Sequence, residues 1–155
     1  MTTKQEWGNV CWYLFHSLSF KLKDDKDHIV KDLQSICHNI ALNLPCPDCS
    51  EHANQTFNMA KNSGVRITNR DEMQRFWWQL HNLVNKRLRK PSMSFEDAQE
   101  IYSKARLFNI VNKFVEVFGR NIPGERNMMY TMSRRNTVRK LFDFIKDNQA
   151  SFELN

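Results

Sequence analysis

With 155 residues, 41% hydrophobic and 26% charged, the chain is sized for one hydrophobic core plus a small addition, and its composition excludes a disordered or low-complexity protein. No apolar run approaches the ~20 residues of a bilayer span, and the first residues run straight into a capped amphipathic pattern, so a cytoplasmic protein without signal peptide or membrane contact is expected. The net charge of +6 is uneven: residues 1–104 carry 14 Lys and Arg against 12 Asp and Glu, residues 105–155 carry 9 against 5.

Four glycines, four prolines and no strand-like alternation predict an all-α protein, a four- or five-helix bundle with a further helical region at its C-terminal end. Thr3-x-x-Glu6 is a capping box for a helix with Trp7, Val10, Cys11, Leu14 and Leu18 on one stripe. Asp24, Asp25 and Asp27 suit the start of a second helix, which repeats Leu33, Ile36, Cys37, Ile40 and Leu44 up to Pro45. A third begins at Cys46 and stops before Gly64. Asn69-x-x-Glu72 opens a fourth through Phe76, Trp77, Leu80 and Val84, and Ser94-x-x-Asp97 opens a fifth. Beyond residue 104, Leu107, Ile110, Val111, Phe114, Val115 and Phe118 form a broad apolar stripe that ends at Gly119 and the loop 120–127; the boundary near 105 could lie within one continuous helix. A last helix turns Val138, Leu141, Phe142 and Ile145 inward. Two helices alone bury little, so residues 105–155 are expected to pack on the bundle or on a partner subunit, as an appendix that can be cut away after Lys104 without loss of the bundle's chemistry.

Four cysteines are too few for a disulfide scaffold, which makes Cys46-Pro47-Asp48-Cys49 a candidate for redox or metal chemistry. Pro45 ends one helix and Pro47 suits the first turn of the next, so the pair sits at a helix N-terminus, where free N–H groups and the dipole stabilise a thiolate. Three readings stand side by side: a dithiol/disulfide couple; a zinc site of Cys46, Cys49 and His52 completed by His38 or His81; and two structural thiols. Cys11 and Cys37 fall on apolar stripes and are expected to be buried and inert.

Two further clusters carry chemistry. Trp12 and His16 are four residues apart on one helical face; His81, Asn82 and Asn85 line one side of the fourth helix, with Arg87 and Lys90 near its C-terminal end. Each alone is an ordinary core or surface feature. Together they offer flat rings, imidazoles, amides and cations, the groups a dinucleotide such as FAD requires where no Gly-rich loop exists.

Three ordered blocks, Trp7-Gly8-x-x-x-Trp12-x-x-Phe15-His16, Cys46-x-x-Cys49-x-x-His52 and His81-Asn82-x-Val84-Asn85-x-x-Leu88-x-Lys90-Pro91, resemble the ERV/ALR flavin-linked sulfhydryl oxidases over residues 6–105. The compact "CPDCSEH" form and the Ser94 to Tyr102 segment are most similar to versions encoded by large cytoplasmic DNA viruses. The resemblance implies a helical FAD-binding domain over residues 1–104 and a homodimer acting on protein dithiols with O2 as electron acceptor and H2O2 as product. It implies Cys46 and Cys49 as the redox disulfide, Cys49 nearer the flavin, and Gly8, Trp12, His16, His81, Asn82, Val84, Asn85, Arg87 and Lys90 as FAD contacts. It implies no metal. Cellular members carry further cysteine pairs; residues 50–155 contain none, so substrate thiols would meet Cys46 and Cys49 directly. Residues 105–155 inherit nothing from it. The alternatives are a zinc-stabilised binding module and a nucleic-acid binder that grips phosphates through Arg134, Arg135, Arg139 and Lys140.

Overall fold

The computed structural model describes residues 3–119 and 128–154. Among them lie seven α-helices: α1 (Lys4–Phe20), α2 (Val30–Leu42), α3 (Pro47–Asn62), α4 (Arg70–Arg87), α5 (Phe95–Ser103), α6 (Leu107–Phe118) and α7 (Met128–Asp147). The protein is all-α. No helix among the described residues is long and apolar enough to cross a membrane. The loop expected at 120–127 lies outside the described residues.

Three of the expected caps form as written. Thr3 accepts from the Glu6 N–H at 3.1 Å, Asn69 from that of Glu72 at 2.9 Å, and Ser94 from that of Asp97 at 3.1 Å, each satisfying a donor the helix leaves free. The acidic run before α2 behaves differently. A 3-10 turn, Asp27–Ile29, comes first, and the carboxylates turn to another helix: Asp27 accepts from the Arg70 N–H at the start of α4 at 2.9 Å, and Asp24 pairs with the Arg70 guanidinium. Nor is there one continuous helix through residue 105. α5 ends at Ser103, whose carbonyl accepts from the buried Lys21 ammonium at 2.9 Å, and the chain turns before α6 begins.

α1 is the central element, in contact with α4, α5 and α6, while α7 lies against α2 and α6. One apolar cluster runs through Leu14, Leu18, Leu33, Ile40, Trp77, Leu107, Phe114, Phe118 and Leu141, all fully buried. The region after residue 104 therefore packs on the bundle itself, the first of its two expected placements. The chain end is laced in as well: Leu22 and Phe152 form a lone antiparallel β-bridge, Lys23 N–H donates to Ser151 at 2.9 Å and Glu153 N–H to Lys21 at 2.8 Å. The segment expected to be removable after Lys104 without loss of the bundle's chemistry thus shares the bundle's core.

α7 corrects two expectations. Phe142, expected inward, is 49% exposed. Arg134, one of the four cations expected to be available for phosphates, is 1% exposed; its Nε–H donates to the Phe118 carbonyl at 2.8 Å and its guanidinium lies 5.8 Å from the Phe118 ring centroid. A carbonyl at the end of α6 has no partner within its helix, and Arg134 supplies one. The phosphate-gripping alternative loses one of its four cations. Arg134→Ala is expected to cost about 2–3 kcal/mol, because it removes a charged hydrogen bond and leaves a buried acceptor unpaired. The melting temperature should fall by roughly 4–12 °C, measurable by circular dichroism.

Candidate active site

Cys46 is the N-cap of α3. Its backbone is extended (φ −115°, ψ 107°), Pro47 follows in the first turn, and the Cys46 sulfur accepts from the Cys49 N–H at 3.2 Å. Cys46 and Cys49 are joined by a disulfide, with Cα atoms 5.2 Å apart. Ser50 fixes the approach to the pair by accepting from the Leu44 N–H at 3.0 Å. Both cysteines are half-buried against the main core, whereas Pro47, Asp48 and His52 are exposed. The sulfurs are thus held by a rigid helix start yet lie at the surface of the bundle.

Cys11 and Cys37 are free and buried, and burial pushes both thiols far above the usual range. Among the described residues no group of three or more His, Cys, Asp and Glu side chains comes together as metal ligands. The zinc alternative has no donor set there.

The second cluster assembles from α1 and α4. Trp12 stacks on His81 with ring centroids 4.1 Å apart and planes 8° from parallel. His16 Nε2 lies 2.8 Å from His81 Nδ1, and the His16 ring stacks on Tyr102 of α5 at 4.3 Å. Burial, with the neighbouring His81, lowers the His16 pKa to about 3; burial, with the Lys90 cation, lowers that of His81 to about 4. Both rings are neutral at pH 7. Gly8, one turn before Trp12 and half-buried, has nothing within 4 Å of where a Cβ would stand. A glycine inside a helix costs roughly 1 kcal/mol relative to alanine, and no internal close contact requires it there. The space beside it is open.

The remaining expected contacts lie on the C-terminal half of α4 and, for Lys90, just beyond its end. The Asn82 carboxamide is engaged on both sides by one residue, donating to the Met93 carbonyl at 2.8 Å and accepting from the Met93 N–H at 2.9 Å, while the Trp78 indole donates to the same carbonyl at 2.7 Å. Asn82 thus clamps the segment after α4 against the helix. Asn85 and Val84 are half-buried; the Asn85 carbonyl accepts from the Lys90 N–H at 2.8 Å, and the Arg87 and Lys90 side chains are exposed. Trp78, Asn82, Lys86, Lys90 and Ser92 border an open groove of about 570 Å3 on this side. Sequence reasoning gave no site role to Tyr102 or Met93. Met93 acts through its backbone, which leaves no side-chain signature, and Tyr102 is brought to His16 only by the packing of α5 on α1.

The disulfide, Trp12 and Phe76 all border one core, and α3 reaches α4 through Phe57, 5.8 Å from Phe76 and 6.1 Å from Trp77. The chain is thus a helical bundle with a disulfide at a helix start and, packed against the same core through Trp12, an aromatic-imidazole cluster. Residues 9–104 match the Erv1 / Alr family, and the chain belongs to that family. It is 29% identical over 106 residues to the FAD-linked sulfhydryl oxidase of African swine fever virus, covering 67% of this chain and 86% of that protein. It is 28% identical over 90 residues to the FAD-linked sulfhydryl oxidase ERV1 of Oryza sativa subsp. japonica, 57% of this chain and 45% of that one. A protein of Invertebrate iridescent virus 3 whose name carries the same words is 26% identical over 102 residues, 65% of this chain and 66% of that one. The matched region thus spans less than two thirds of the rice and iridescent virus proteins. No solved structure matches the chain.

Proposed function

We propose that the protein is an FAD-linked thiol oxidase that forms disulfides in protein substrates, working as a homodimer in the cytoplasm. The observation that carries this reading is the disulfide at the start of α3 on the same core as the Trp12–His81 stack, in a chain whose relatives are named as FAD-linked sulfhydryl oxidases. The donor set fits FAD: flat rings at Trp12 and His81, open space at Gly8, the half-buried Val84 and Asn85, and the cations Arg87 and Lys90 for phosphates.

A substrate thiolate attacks Cys46 and displaces the Cys49 thiolate, leaving a mixed disulfide between substrate and Cys46. A second substrate thiolate then attacks the substrate sulfur, releasing the substrate disulfide and a Cys46 thiolate. The Cys49 N–H, 3.2 Å from the Cys46 sulfur, and the free N-terminal groups of α3 stabilise that leaving thiolate. Substrate has lost two electrons and two protons, and Cys46 and Cys49 hold them as a dithiol. FAD held by these residues would supply the electron acceptor for that dithiol, with O2 as the final acceptor and H2O2 as the product. With every other cysteine buried, substrate meets this pair directly.

The purified protein is expected to be yellow and to oxidise a small dithiol with release of one H2O2 per disulfide. Colourless protein without thiol oxidation would overturn the proposal. Trp12→Ala and His81→Ala should each lower flavin occupancy at least tenfold. They should also remove ligand stabilisation, about 2.7 kcal/mol when free ligand stands at a hundred times its dissociation constant. Full occupancy and an unchanged melting temperature in both variants would take the stack out of the cofactor site.

A further inference from the structure

His16 is fully enclosed, and one of its two ring nitrogens has no hydrogen-bond partner among the described residues. Its exposure is 0%; Tyr102 stacks on it, Nε2 faces His81 Nδ1 at 2.8 Å, and Nδ1 meets no hydrogen-bonding atom among the described residues. We infer that His16 is a positioning residue, whose Nε2–H donates to Nδ1 of His81 and so holds His81 in the tautomer that carries its proton on Nε2.

Both imidazoles are neutral at pH 7, so each has one donor and one acceptor nitrogen, and the short contact allows two arrangements. In the first, His16 donates from Nε2; its buried Nδ1 is then a bare lone pair, and His81 keeps its proton on Nε2. In the second, His81 donates from Nδ1, and His16 must carry its own proton on Nδ1, where the N–H is sealed in the core with no acceptor. Orphaned buried N–H groups are rarer than under-used acceptors, which favours the first. The first also leaves both rings in the Nε2–H form that a free neutral histidine side chain prefers, whereas the second requires both in the disfavoured form. Trp12 stacked on His81 and Tyr102 stacked on His16 hold the two rings at the separation this bond needs.

The consequence is a sign of polarity at the cofactor site. His81, half-buried, meets a ligand with an N–H donor at Nε2 and not a lone pair, so the ligand atom there must be an acceptor: a carbonyl oxygen, a ring nitrogen or a phosphate oxygen. That the ligand is FAD rests on the proposed function; the tautomer does not.

The test is nitrogen NMR of the full-length protein, as purified, with 15N-labelled histidine. Wild type should show His81 with a pyrrole-type Nε2 and a pyridine-type Nδ1. His16→Phe keeps a ring against Tyr102 but cannot donate, so His81 should become a mixture of tautomers and the dissociation constant for FAD should rise about tenfold, the effect of one hydrogen bond. His16→Gln, whose amide can donate to Nδ1, should restore both the pyrrole-type signal and most of the affinity. A pyridine-type Nε2 on wild-type His81, or an unchanged tautomer in His16→Phe, would overturn the inference. The wild-type spectrum decides even if neither variant folds. Protein that holds no flavin would remove the proposed function while the tautomer signal still decides this one; a pyridine-type Nε2 in flavin-loaded protein would remove this one alone.

Discussion

Cys46→Ser and Cys49→Ser are each expected to reduce thiol oxidation to the uncatalysed background while the flavin stays bound. Each variant lacks the disulfide that accepts electrons from substrate, and neither Cys11 nor Cys37 can stand in, because both are buried with thiols held in the neutral form. The cofactor should remain because the residues proposed to hold it lie on α1, on α4 and, for Lys90, just after α4, whereas the pair begins α3. Opening a loop this short costs little in the chain-entropy account, about 2 kcal/mol, so the melting temperature should fall by only roughly 4–8 °C. The two variants should differ in one respect. If Cys49 is the flavin-side sulfur, only Cys46→Ser, which keeps the Cys49 thiolate, should show a broad long-wavelength absorbance from a thiolate beside oxidised flavin. The same band in Cys49→Ser would exchange the two roles, and steady-state turnover by either variant would remove the pair from the reaction.

Helix positions and starts were legible because their causes are local. Thr3, Asn69 and Ser94 cap the helices they precede, and the apolar stripe of α6 lies against α1 as its period requires. The Cys46-x-x-Cys49 pair was legible for the same reason: Pro47 and a helix start fix its surroundings within a few residues. What escaped depends on partners distant in sequence. Asp24 and Asp27 looked like the charges of α2 but serve Arg70, more than forty residues on. Arg134 sits in a run of cations, and only the open carbonyl of Phe118 draws it inside. Asn82 reads as a cofactor contact, yet its carboxamide hydrogen-bonds the Met93 backbone, which no side-chain pattern reveals. At His16 and His81, Trp12 and the four-residue spacing marked the location, but the hydrogen bond between the rings is set by how α4 leans on α1.

Truncation after Lys104 is expected to yield protein that neither folds cooperatively nor retains flavin, although the family match itself ends at residue 104. The deleted segment contributes Leu107, Val111, Phe114, Val117 and Phe118 to the same core as Leu14 and Leu18 of α1. Burying a large apolar side chain is worth about 1.5–3 kcal/mol, so five amount to roughly 7–15 kcal/mol, which matches the whole stability of an ordinary domain. The loss would strike the site through α1, the helix that carries Gly8, Trp12 and His16, because stripping α6 bares one side of it. A milder cut separates packing from mere length. Removing residues 149–155 keeps α6 and α7 but deletes the buried Phe152, its bridge to Leu22 and the main-chain bonds to Lys21 and Lys23. That loss is about 3–5 kcal/mol, on the scale of Phe→Ala in a core, and should leave a folded, flavin-bearing protein with a lowered melting temperature. Gel filtration, circular dichroism and the flavin absorbance of both truncations check the argument. A monodisperse, cooperatively melting, yellow protein ending at Lys104 would show that the bundle stands without α6.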